Sequence, residues 1–197
     1  MSINRFSHVF VHGATPRLSR DTRLYTQVVL ACQRAPYDSA LDIYYIPPEE
    51  MRAINQQSRG IDKATDVLTF TEQTVEATRM NQLLFADAAA ASLERRAEAV
   101  DCGSLFICLE YLHTRCVAAP HQNLPFLEYL KVALVHAVLH ATGYQHESKE
   151  ELRAMSKREQ FVLARIDALE RRFPHVFQKI DGFEFLKKQN NVMRRRR

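Results

Sequence analysis

His136, His140 and His146 lie in the run His136-Ala137-Val138-Leu139-His140-Ala141-Thr142-Gly143-Tyr144-Gln145-His146, a spacing of imidazoles that suits a zinc site. On a helix, residues four apart share one face, so the first two rings can converge on one ion. Gly143 has no Cβ and can take a left-handed conformation, which would end the helix and bring His146 back as a third ligand. Three protein ligands leave one tetrahedral position open on a single Zn²⁺ per chain. The chemistry that follows is hydrolytic, because zinc lowers the pKa of a water in that position from about 15.7 toward roughly 7. His8, His12, His113, His121 and His175 show no such spacing and read as structural or surface residues.

The same H-x-x-x-H-x-x-G-x-x-H spacing occurs in metzincin proteases, where a Glu directly after the first His is the general base. Ala137 occupies that position here and cannot accept a proton, which argues against a metalloprotease.

Two further segments stand beside the histidine run: Arg59-Gly60-Ile61-Asp62-Lys63-Ala64-Thr65-Asp66-Val67-Leu68-Thr69-Phe70, and Gly103 to Cys108. Together with Leu139, Gly143, Tyr144 and the three histidines, they resemble the YbeY-type endoribonucleases, single-domain metal-dependent proteins of ribosome maturation. The resemblance covers most of residues 40 to 170. It implies a metal-dependent endoribonuclease acting on single-stranded ribosomal RNA in small-subunit maturation, with the assembling subunit and its proteins as partners. His136, His140 and His146 would hold the metal, and His136 and Arg59 would be catalytic. A scissile phosphodiester is an anion, so the site needs positive charge; the Arg59 guanidinium can bind two phosphate oxygens as a fork, and Lys63 can meet a neighbouring phosphate. Thr65 and Asp66 read as loop-fixing residues rather than catalytic ones. The chain departs from the family pattern at Ala64, where Pro is usual, and at Ser104 and Gln145, where Asp is usual. The two missing carboxylates take away groups that could orient metal ligands. They leave room for a different reading, a ribosome-assembly factor that binds pre-ribosomes with weak or lost nuclease activity.

The elements that must position these residues alternate between helix and strand. Leu18 to Arg34 reads as a helix, with Leu24, Val28 and Ala31 at helical spacing. Leu41 to Ile46 reads as a strand halted by Pro47-Pro48, and those prolines start a helix over Glu49 to Gln57. Arg59 to Thr65 is a polar loop leading into a strand over Asp66 to Phe70, and Gly103 to Leu109 is another strand. Leu124 to Ala141 is the helix carrying the first two ligands. Ser148 caps the next helix, which runs to about Phe173 and has Glu151 at the capping-box position. The fold class is α+β: a small mixed β-sheet packed with helices, the metal site on a helix and its turn.

With 197 residues and 46% hydrophobic positions, the chain reads as one domain with tails. The domain is placed at 21–173, with an insertion at about 71–101 read as an added helix, lid or partner-binding face. No apolar run reaches the 18 or so residues of a membrane helix. The net charge of +4 is uneven: residues 171–197 carry +7, residues 1–20 carry +3, and the body between them carries −6. The 174–197 tail, ending in Arg194, Arg195, Arg196 and Arg197, has the composition of an RNA-backbone contact, with a solvated tail as the alternative. Residues 1–20 contain arginine and serine but no acid, the composition of a mitochondrial targeting segment or a flexible N-terminus, with the bacterial cytoplasm as the alternative location. Cys32, Cys102, Cys108 and Cys116 contain no C-x-x-C pair, so they suggest free thiols.

Overall fold

A computed structural model describes residues 8–71, 100–118 and 125–177 of the chain. Among these residues four strands form one sheet in the order β1-β2-β4-β3, where β1 is Val9–His12, β2 Ser39–Tyr45, β3 Val67–Phe70 and β4 Val100–Ile107. β1, β2 and β4 are parallel, and β3 runs antiparallel along β4 as an edge strand. The protein is therefore α+β with a mixed sheet. Among the described residues no helix is long and apolar enough to cross a membrane.

Every residue of β2 is buried. A central parallel strand covered on both faces has no solvent side, which is why Leu41 to Ile46 lacks the alternation of a half-exposed strand. One face, through Leu41, Ile43, Tyr45, Leu105 and Ile107, packs on three helices: α1 (Pro16–Gln33), α4 (Phe126–Ala141) and α5 (Lys149–Arg172). The other face, through Tyr44, Leu68, Phe70 and Phe106, packs on Met51 and Ile54 of α2 (Pro48–Arg59). Helix α3 (Leu109–Ala118) follows β4 directly and was not foreseen from the sequence.

Local chemistry sets the helix ends. Thr15 caps α1 by accepting from the Leu18 amide at 3.3 Å, and Pro16 occupies the first turn, where its missing N–H costs nothing. Ten residues of α4 are buried, so it is the central helix of the domain.

Three expected boundaries move. Val9–His12 pairs with β2 from Leu41 to Tyr44, so the folded domain reaches well before residue 21. A four-residue strand with one fully buried position carries too little periodicity to be seen in a sequence. Val100 and Asp101 belong to β4 rather than to the expected 71–101 insertion, of which residues 72–99 lie outside the described residues. At the other end, Phe177 is buried and stacks on Tyr25 with ring centroids 5.6 Å apart, so packing continues past residue 173. Residues 178–197, including the four terminal arginines, lie outside the described residues.

Candidate metal centre

The C-terminal half of α4 carries His136 and His140 one turn apart, with Nε2 atoms separated by 3.1 Å. The helix then closes in a Schellman turn. Gly143 N–H donates to the His140 carbonyl and Tyr144 N–H to the Leu139 carbonyl, each at 3.0 Å, with Gly143 at φ +96°. Thr142 Oγ1 donates back to the Val138 and Leu139 carbonyls at 3.1 and 3.0 Å. The reversal sends His146 back over the helix end, and its ring centroid lies 4.8 Å from that of His140 and 5.6 Å from that of His136. One ligand nitrogen from each of the three rings falls within 4.8 Å of the others.

The far side of each helical imidazole is held by an acceptor. His136 Nδ1 lies 2.6 Å from Glu159 Oε1, contributed by α5, and His140 Nδ1 lies 2.8 Å from the Tyr144 carbonyl, contributed by the Schellman turn. In a neutral ring the nitrogen facing an acceptor carries the proton, so both Nε2 atoms present lone pairs. Two lone pairs 3.1 Å apart repel unless a cation sits between them. Four-coordinate zinc with Zn–N bonds of about 2.0–2.1 Å needs nitrogens roughly 3.3 Å apart, close to this pair. His146 is the exposed ring of the three and has the freedom to close in. The residues therefore fit a divalent ion of the zinc class. Burial, then the neighbouring His136 and His146, holds the His140 imidazole below its ordinary pKa of 6.5, which favours the neutral form a metal needs.

Sequence reasoning missed Glu159. It lies 23 positions from His136 on another helix, and nothing in its local pattern separates it from the other acids of α5. The carboxylate-to-His136 contact exists only because α4 and α5 pack side by side.

Arg59, Lys63, Thr65 and Asp66 lie at the end of α2 and on the segment leading into β3. Arg59 is the last residue of α2 rather than the first of a loop, and Gly60 ends that helix at φ +71°. It is exposed, and among the described residues its side chain makes no hydrogen bond or ion pair. α2 packs on the sheet face opposite α4. Lys63 is exposed in a turn pinned from behind: Asn55 Nδ2 donates to its carbonyl at 2.7 Å, and Arg52 grips Asp62 with two bonds of 2.6 Å. Asp66 Oδ1 accepts from the Thr65 hydroxyl and the Val67 amide, and Asp66 Oδ2 from the Tyr129 hydroxyl, so these residues fix the entrance to β3. Ser104 is buried on the α2 face, in register with Asp42 and Phe70. A carboxylate at that position would point away from α4, so the departure at Ser104 does not strip a group from the histidine cluster. Gln145 is exposed beside His146.

Residues 6–167 match the family model described as Endoribonuclease YbeY. An endoribonuclease YbeY of Thermoanaerobacter sp. (strain X514) is 30% identical over 142 residues, spanning 72% of this chain and 82% of that protein. One from Clostridium perfringens (strain ATCC 13124) is 26% identical over 153 residues, spanning 78% and 89%. A solution structure of TM1509 from Thermotoga maritima aligns over 81% of this chain and 92% of its own, with 21% identity and a TM-score of 0.47. With most of its length matched by the family model, from before β1 into the last helix, the chain belongs to the YbeY endoribonuclease family.

Proposed function

We propose that the protein is a metal-dependent endoribonuclease that cleaves single-stranded RNA during ribosomal RNA processing and maturation of the small ribosomal subunit. The observation that carries this reading is the meeting of His136, His140 and His146, with ligand nitrogens within 4.8 Å and both helical rings held from behind. One Zn²⁺ per chain is the proposed cofactor. When bound it supplies Lewis acidity, polarising phosphate oxygens and lowering the pKa of water toward about 7. The chain's own contribution is to hold three imidazoles at one point and to leave the outer side of the cluster open through the exposed His146. Because the metal does the activating, no carboxylate is needed at Ala137, which is buried in α4. His136 acts in catalysis as a ligand.

Arg59 and Lys63 are proposed to contact substrate phosphates, Arg59 as a fork that offsets the charge gathering at the five-coordinate phosphorus, and Arg194 to Arg197 to grip the RNA backbone. Arg59 is exposed and, among the described residues, unengaged by other side chains, which leaves its guanidinium available for a phosphate. Single strands suit the site because their bases and backbone can follow an open surface that a duplex would bridge. The matched relatives are bacterial, which supports the bacterial cytoplasm as the location. A mitochondrial leader cut after residue 20 would carry away β1 and the first turn of α1.

The test is metal content by elemental mass spectrometry together with cleavage of a single-stranded ribosomal RNA fragment, with His140→Ala as control. About one zinc per chain and cleavage, both lost in His140→Ala, is the expected result. Metal-free protein that still cleaves would overturn metal dependence, and metal-loaded protein that binds pre-ribosomes without cleaving would shift the reading to an assembly factor.

A further inference from the structure

Helix α5 contributes none of the three histidines, yet it is tied to the segment that carries them at two points. At its start, Ser148 and Glu151 form a reciprocal capping box: Ser148 N–H donates to Glu151 Oε2 at 2.9 Å, and Glu151 N–H donates to Ser148 Oγ at 3.2 Å. This box closes the 142–148 loop two residues after His146. Two turns further on, Glu159 meets His136 Nδ1 at 2.6 Å, with only 23% of the carboxylate side chain exposed. The neighbouring Arg158 points the other way and bonds the Cys32 carbonyl and, at 3.1 Å, Gln33 Oε1 on α1. Met155, Val162 and Ile166 are all but fully buried beneath the same helix. Glu159 is thus held at a defined height against α4, with one neighbour anchored to a third helix.

Resting on the metal centre proposed above, we propose that Glu159 is a positioning residue of that centre, and that the docking of α5 is part of what makes the site bind metal. Its carboxylate accepts from the Nδ1–H of His136. That contact fixes the ring's rotation and tautomer and leaves Nε2 as the free lone pair beside His140. Without it, the half-exposed His136 ring can rotate, or move its proton to Nε2, and either change removes a ligand. Loss of such outer partners costs about 10–100-fold in metal affinity. The bland alternative is an ion pair that only joins two helices and contributes little to stability. That alternative would alter stability with or without metal and leave affinity alone.

The experiment uses the full chain stripped of metal and titrated with Zn²⁺ against a chromophoric chelator. Co²⁺ absorption reports tetrahedral geometry, and no RNA is present. Glu159→Ala should bind zinc about 10–100-fold more weakly than wild type. Its metal-free melting temperature should stay near that of the wild type while its zinc-induced rise shrinks. Glu159→Gln, which keeps an acceptor oxygen and loses the charge, should recover most of the affinity and the Co²⁺ spectrum, whereas Glu159→Leu, which fills the same space with no acceptor, should bind as weakly as the alanine variant and carries the test if that variant does not fold. Wild-type zinc affinity in a folded variant without the acceptor, Glu159→Ala or Glu159→Leu, would overturn the proposal while leaving the nuclease reading intact. A wild-type chain that binds no zinc would overturn both.

Discussion

Replacing Gly143 by alanine tests whether the turn between the second and third histidines is what makes the centre. An ideal Cβ at Gly143 would meet no atom within 4 Å, so steric crowding contributes nothing. The residue's φ of +96° is a conformation that a side chain resists, at about 1–2 kcal/mol. That strain has two outlets. If the turn holds, the metal-free protein is destabilised by the full amount, and its melting temperature falls by about 2–8 °C for a chain of this size. If the turn yields, the Tyr144 carbonyl leaves His140 Nδ1, His146 swings out, and zinc affinity falls by the same free energy, about 5–30-fold. Thermal melts of the metal-free protein and zinc titrations should therefore share a total of about 1–2 kcal/mol. Gly143→Asn should lose less in the same two assays, because asparagine tolerates left-handed backbone better than alanine. Wild-type stability and wild-type affinity together in Gly143→Ala would refute the reasoning. So would a loss well above 3 kcal/mol, which would mean that the space around the turn is not open.

Lys131 is 5% exposed and faces Glu128 at 2.7 Å, Glu170 at 3.1 Å and Asp167 at 3.6 Å, carboxylates that are themselves 24–49% exposed. Their access to water means that removing the ammonium does not strand them. Lys131→Met, which keeps the buried stem, should cost no more than about 1 kcal/mol in urea unfolding. Lys131→Ala should cost about 2–3 kcal/mol from lost methylenes and the void they leave. A methionine variant as damaged as the alanine variant would show that the charge, not the stem, is what matters. Ser148→Ala should cost about 1 kcal/mol at neutral pH through loss of the cap. The Ser148 backbone and hydroxyl hold the Glu151 carboxyl below its ordinary 4.5. That part of the stability is present above pH 4.5 and disappears as pH falls through the lowered value, so thermal melts of wild type and Glu151→Gln should converge in acid. A gap that persists at low pH would assign the effect to something other than the carboxylate.

The histidine spacing, the glycine between the second and third ligands and the Ser148–Glu151 box were all legible, because each is local. Side chains four apart on a helix, a residue without Cβ at a reversal, and a cap with its partner three positions on are dictated within one or two turns of chain. The α+β class was legible for the same reason, from the alternation of helical and strand-forming stretches. Val9–His12 was not, because a four-residue strand declares itself only by pairing with Leu41 to Tyr44, some thirty positions away. Arg59 was expected in a loop, yet α2 continues through it until Gly60 takes the left-handed cap.

What only the tertiary structure decided is which groups stand behind the ligands and on which face each residue lies. Glu159 reaches His136 because the buried side of α5, through Met155, Val162 and Ile166, locks that helix beside α4. Ser104 faces α2 because its register with Asp42 and Phe70 places it on that side of the sheet. Each is a contact between segments far apart in sequence, chosen by how apolar faces pack, and no local pattern encodes it. The ligands themselves lie within eleven residues of chain, where helix geometry and one glycine are enough to bring them together.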